Sequence, residues 1–176
     1  MNHGKDRKQR KTSEDRTVAG SVGYDATLLT DDDLYLFNEG SHYRLYEKLG
    51  AHPLSSDGVD GTYFAVWAPD ARQVFLTGDF NAWSKTSHPL HNRGQSGIWE
   101  VFVPGVSSGA VYKFHVVSRY KGYRADKADP FAFRSETPPR TASVVCDLAF
   151  TWSDDEWMRE RKRHNALDTP TAVYEV

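Results

Sequence analysis

Few residues of this chain are spaced for reaction chemistry. His88 and His91 lie three apart across Pro89 in a stretch that reads as a surface loop, and two imidazoles without further ligands make a poor metal site. Asp126 and Asp129 precede Pro130, where turn formation accounts for them. Glycoside chemistry needs two carboxylates flanking the bond, and no acid falls in a segment that reads as a buried cleft. Nucleophile-elbow, phosphate-loop, dinucleotide-glycine and Cys/His zinc spacings are absent. The expectation is a chain without catalytic residues, metal ligands or a cofactor.

Binding chemistry is more visible. In Gly78-Asp-Phe-Asn-Ala-Trp-Ser84, a sharp turn follows an apolar run and places Trp83 beyond it. A tryptophan there either folds back as a core plug or stands out as a flat platform. Over 111–117, Tyr112, Phe114 and Val116 alternate onto one face, which sends Lys113 and His115 to the other. A lysine on an outer sheet face, with Trp83 and Tyr123 nearby, suits a neutral polyhydroxylated ligand. The C–H faces of sugar rings stack on indole or phenol, and their hydroxyls bond ammonium or amide groups. A core tryptophan beside a solvated lysine is the competing reading, and residue types alone leave both open.

These side chains need a scaffold, and from Thr62 the hydrophobic period is two. Strands are expected over 63–68, 74–78, 98–103 and 111–117, with weaker candidates at 120–123 and 143–148. No helix of crossover length separates them. The pattern therefore predicts an all-β fold, an antiparallel β-sandwich over 61–150. Residues 31–60 read as a helical lead-in and loop. Asp31, Asp32 and Asp33 offer N-caps to a turn that Gly40 closes. Ser41 caps a second helix over 42–49, with Tyr43, Leu45, Tyr46 and Leu49 on one face and Gly50 as its stop. Residues 51–60, with Pro53 and two serines, read as loop. Over 151–176, Ser153 and Glu156 predict a capping box that launches a helix ending in Arg and Lys. After it, 171–176 resemble the start of a strand.

At 176 residues the chain makes one domain with appendages, too short for a (β/α)₈ barrel of roughly 200 residues or more. Only 8 of the first 32 residues are apolar, and six Lys or Arg occur in the first sixteen. Residues 1–30 are therefore expected to be a disordered basic tail, unable to repay its ordering entropy. Net charge is −2, so no whole-chain positive field favours nucleic acid. The one cysteine, Cys146, fits a reducing compartment. No apolar run approaches the roughly 20 residues that span a bilayer, and no signal-peptide core follows the charged start. A soluble cytoplasmic protein is expected.

The segments Tyr63 to Pro69, Gly78-Asp-Phe-Asn-Ala-Trp83 and Tyr112-Lys-Phe114 resemble carbohydrate-binding module family 48, the starch- and glycogen-binding immunoglobulin-like sandwiches of the α-amylase superfamily. The stretch Tyr35 to Pro53, with Lys127-Ala-Asp-Pro-Phe-Ala-Phe133, Thr141-Ala-Ser-Val-Val145 and Ala172-Val-Tyr-Glu-Val176, is similar to the N-terminal region of bacterial 1,4-α-glucan (glycogen) branching enzymes. The resemblance covers about 33–176. It implies an α-glucan partner, glycogen or maltooligosaccharide, with Trp83 stacking, Lys113 and Thr141 contacting hydroxyls, and Tyr123 near a second stacking position. Ser143 stands where the family has asparagine. The family's catalytic Asp, Glu and Asp belong to a barrel expected beyond Val176, and that barrel is the other implied partner. A debranching or trehalohydrolase parent, or a purely structural brace for the barrel, is the alternative.

Overall fold

The first strand begins where the second lead-in helix was expected to end. In the computed structural model, which describes residues 23, 26–170 and 172–175, the stretch 42–49 forms only one 3₁₀ turn, Leu45–Glu47. Strand β1, Gly50–Ser56, follows at once. Gly50 adopts φ +105°, and a Cβ there would lie 3.0 Å from the Phe131 carbonyl oxygen. The glycine is thus a close-approach point at a strand start and not a helix stop. The expected loop over 51–60 is the β1–β2 hairpin, with β2 spanning Val59–Trp67. Ser56 pairs with Val59 across Asp57 and Gly58, both at positive φ, the geometry of a two-residue type I′ turn. Pro53 sits within β1, which occupies the edge of its sheet, where a missing N–H is tolerated.

The expected sandwich is present. Strands β3 (Ala71–Gly78), β4 (His91–Asn92), β5 (Ile98–Pro104), β6 (Val111–Ser118), β7 (Arg124–Lys127), β8 (Arg134–Ser135) and β9 (Ser143–Val144) complete it. One sheet runs β1-β2-β5-β4. The other runs β3-β6-β9-β8, with β7 also on β6. All ladders are antiparallel. The weaker strand candidate at 120–123 is instead the β6–β7 turn, where Ser118 N–H donates to the Tyr123 carbonyl. The one at 143–148 shortens to β9. Between the sheets, Phe64, Val66, Val74, Leu76, Trp99, Val101, Tyr112 and Phe114 form the core.

A second core lies on the outside of the first sheet. Tyr63, Ala65, Ile98 and Phe102 are buried there against Leu29 and Leu49, with Leu34, Phe37, Leu45 and Phe131 around them. The basic tail expected over 1–30 falls mostly outside the described residues. At its end, Gly23 bridges to Phe102 and Leu29 is 2 % exposed. Helix α1, Asp31–Glu39, starts from Thr30 as N-cap, with Asp33 closing a capping box and Gly40 in the left-handed region as its stop. Of the expected helix face over 42–49, Leu49 is buried but Tyr43 and Tyr46 are exposed. Helix α2, Asp155–His164, carries acids in its first turn and bases in its last, yet its N-cap is Asp154 with no side-chain cap bond. The expected capping box from Ser153 is therefore not formed. Of the strand expected over 171–176, residues 172–175 have no regular structure, and Thr171 and Val176 lie outside the described residues.

Candidate functional site on the open sheet face

The Trp83 turn is built by its neighbours. Gly78 ends β3 paired with Tyr112, and a Cβ there would come within 2.4 Å of the Val111 carbonyl oxygen, so the turn can start only from glycine. Asn81 then staples it. Its Oδ1 accepts from Gly78 N–H at 3.0 Å, while its Nδ2 donates to the Leu76 carbonyl at 3.0 Å. The Asp79 carboxylate accepts from Val111 N–H at 3.1 Å, tying the turn to the start of β6. Phe80 folds inward against the core, its ring 6.4 Å from that of Phe64. The plug is thus Phe80, while Trp83 stays 44 % exposed. Ala82 and Trp83 both hold positive φ, 51° and 59°, a strain of roughly 1–2 kcal/mol each for non-glycine residues. The Trp83 N–H bond to the Gly78 carbonyl at 2.8 Å holds that conformation.

Lys113 lies across from Thr77 on β3, one residue from the Gly78–Tyr112 pair that carries the turn. Its ammonium donates to Thr141 Oγ1 at 2.7 Å. The structure therefore brings Lys113 and Thr141 together and hangs Trp83 from the adjacent pair. Tyr123 is placed otherwise. It follows the far end of β6, five residues along from Lys113 and roughly 16 Å away at strand rise. In the β6–β7 ladder it has the parity of Phe114 and Val116, opposite to Lys113. Its ring is exposed, with the Lys127 ammonium 6.0 Å from the centroid. Ser143 is buried, and its hydroxyl accepts from Asp129 N–H at 2.9 Å, which makes it part of the core's polar bonding.

Beyond Lys113 the same outer face opens into a trough of about 560 Å³ lined by Gln73, Phe75, Lys85, His115, Arg124 and Asp126 among others. Phe75 and His115 face each other across β3 and β6, with ring centroids 6.4 Å apart. Asp126 is a β7 residue and not a turn former. Its carboxylate takes His115 Nδ1 at 2.6 Å and Lys85 Nζ at 2.8 Å. Partial burial pushes the Asp126 carboxyl up, but the bonds and charges of Lys85 and His115 outweigh this and hold it below the usual carboxylate range.

Two acids are buried where the sequence suggested none. Glu100, 2 % exposed, sits on the outer side of the first sheet. It accepts from the Tyr63 hydroxyl at 2.5 Å and from Thr27 at 2.9 Å. Its other oxygen lies 3.4 Å from Arg93 but outside hydrogen-bond geometry, so that contact is a charge pairing without a bond. Asp129 accepts from the Tyr112 hydroxyl at 2.5 Å and from Phe131 N–H at 2.8 Å. Burial drives its carboxyl upward against those bonds. The same burial, next to the carboxylates, pushes both tyrosine hydroxyls well above the usual phenol range. Glu100 is engaged by Tyr63 of the outer core and Asp129 by Tyr112 of the core between the sheets, and both serve structure. The signal for Glu100 is its position as the lone acid in 98–103, where the other five residues are apolar on both parities and leave no exposed face. His88, lowered by burial, bonds Ser87 and Asn81 and shapes the same turn. Among the described residues no cluster of three or more His, Cys, Asp or Glu could hold a metal. No helix among them is long and apolar enough to cross a membrane.

Residues 48–132 match the model of carbohydrate-binding module 48 (isoamylase N-terminal domain). Among curated proteins, the chain is 53% identical over 145 residues to the 1,4-alpha-glucan branching enzyme GlgB of Synechococcus sp. (strain JA-3-3Ab), covering 82% of this chain and 19% of that protein. It is 45% identical over 167 residues to the GlgB of Thermosynechococcus vestitus, covering 94% and 22%. With the GlgB of Rubrobacter xylanophilus it shares 51% over 150 residues, covering 85% and 20%. The chain thus spans about a fifth of the length of these relatives.

Proposed function

We propose that this chain, whose residues 48–132 form a carbohydrate-binding module 48 domain, is the N-terminal α-glucan-binding module of a cytoplasmic 1,4-α-glucan branching enzyme. The observation that carries this reading is the pairing of Lys113 with Thr141 at 2.7 Å beside a strained turn that leaves Trp83 exposed. An indole face can take the C–H side of a glucose ring, and an ammonium already oriented by a hydroxyl can donate to the ring's own hydroxyls. Glycogen or a maltooligosaccharide is the ligand. Cleaving an α-1,4 bond and rejoining the chain through an α-1,6 bond would be the work of a retaining double displacement on a barrel outside these 176 residues. The module holds chains near that barrel and carries no catalytic group of its own.

Affinity electrophoresis through glycogen-containing gels tests this. The wild-type chain should be retarded and Trp83→Ala should run free of the glycogen effect, with an unchanged melting temperature. Equal retardation of the two proteins would defeat the platform role. A second reading has its own observation. Phe150, Trp152, Trp157 and Met158 are all about half exposed or more, a band of large apolar side chains that suits packing against further polypeptide. In that reading the module braces the barrel, and glycogen retards neither protein.

A further inference from the structure

We infer that the outer face of the second sheet is an elongated track for linear α-glucan chains, running along β6 from Val111 to Val117, with the Lys113–Thr141 pair nearer the Val111 end and the Phe75–His115–Lys85 trough as its far end. This rests on the glucan-binding reading and adds a chain-length preference to it. Alternate residues of β6 project to that face. Val111 lines one open trough of about 430 Å³ with Arg134 and the loop at 136–140. His115 and Val117 line the other, of about 560 Å³, and Lys113 stands between them. Both volumes fall in the range of roughly 300–1,000 Å³ typical of small-ligand sites. At strand rise, six residues from Val111 to Val117 measure roughly 20 Å, longer than a few sugar rings. The Trp83 turn is tied to the Val111 end, so a chain stacked there has the trough ahead of it.

The far trough has the composition of a sugar subsite. Phe75 supplies a half-buried ring face on its floor. Gln73, Lys85, Arg124 and Asp126 supply donors and acceptors around it. The Lys85–Asp126–His115 bonds fix Lys85, Asp126 and the neighbouring His115 before any ligand arrives, which lowers the ordering cost of binding. A short oligosaccharide can occupy only the Trp83–Lys113 end, whereas a longer chain also covers Phe75.

Calorimetric titration of the 176-residue protein with maltotriose and maltoheptaose tests the track. Maltoheptaose should bind on the order of tenfold tighter, the gain of one well-formed stacking subsite. Lys85→Ala and Phe75→Ala should each lower maltoheptaose affinity severalfold and leave maltotriose affinity unchanged, while Trp83→Ala weakens both sugars. Lys85 is a surface residue, so its variant keeps the test valid if Phe75→Ala fails to fold. A gain that only counted overlapping registers on a short site would survive Lys85→Ala intact, and that result overturns the track. Equal affinity for the two sugars also overturns it, and in both cases glucan binding stands. Absence of binding by either sugar overturns the track together with the reading beneath it.

Discussion

The two sheets of the sandwich treat their outer faces in opposite ways. On the first sheet, the outer face of β2 and β5 is covered by residues 26–49 and Phe131, and β2 is buried without interruption from Gly61 to Val66. On the second, the outer face of β3, β6 and β7 is only partly covered: Gln73, Arg124 and Asp126 are exposed there and Lys113 half-buried, while Thr77, His115 and Val117 are buried at its base. A covered face contributes stability, because it removes apolar area from water on both sides of one sheet. A face with paired charges at its surface and only Phe75, Val117 and Thr77 beneath them removes less apolar area from water, and its exposed groups are free to recognise a ligand. The lead-in is therefore part of the fold, while the site rests on the surface that the lead-in leaves alone.

The largest way to break that contrast is at Glu100. Glu100→Ala removes the acceptor of Tyr63 and Thr27 and leaves Arg93 without its counter-charge, and should cost about 3–5 kcal/mol in urea unfolding. A cost within 1 kcal/mol of zero would mean the outer layer is loosely held. Next, paired truncations compare the two faces directly. Leu29→Ala, under the covered face, should cost about 2–5 kcal/mol, whereas Phe75→Ala, on the open face, should cost no more than about 1 kcal/mol. Equal losses would erase the distinction.

The smallest effect concerns pH. The folded Asp126 carboxyl is held below its ordinary value, so its pairing stabilises the protein fully at neutral pH. That contribution is lost as pH falls below about 4, through the folded value. Wild type should exceed Asp126→Asn in stability by at most about 1 kcal/mol at neutral pH, since the carboxylate is 34 % exposed and solvent screens it. The two curves should converge in acid, and a gap independent of pH would assign the loss to packing.

Much of the fold was legible because burial on one face leaves a period of two. The strands at 74–78 and 111–117 show it, and 98–103, apolar on both parities except at Glu100, has the pattern of a strand buried on both sides. The β1–β2 hairpin was not legible. Pro53 and the serines suggested loop, although Asp57-Gly58 is a hairpin signal and Pro53 only needed an edge position to be accommodated. The helix expected over 42–49 has the right periodicity but lacks the room, since Gly50 must enter a strand against Phe131. In the site, Trp83, Lys113 and Thr141 could be named from residue types and resemblance, but their relation could not. Tyr123 is expected with them as a nearby aromatic that the resemblance sets near a second stacking position, whereas the ladder register puts it at the other end of β6 with opposite parity.

Taken by itself, the sequence determined the four main strands at 63–68, 74–78, 98–103 and 111–117, which face of β6 is polar, and that the 78–84 turn needs glycine, asparagine and an aromatic. These are local consequences of side-chain alternation and backbone sterics. Only the tertiary structure decided that Phe80 and not Trp83 fills the core, that Asp129 is buried, which partners Glu100 meets, and that Lys85, His115 and Asp126 meet across 41 residues. Those outcomes depend on which sheet face another layer covers, and no local pattern in the chain encodes that.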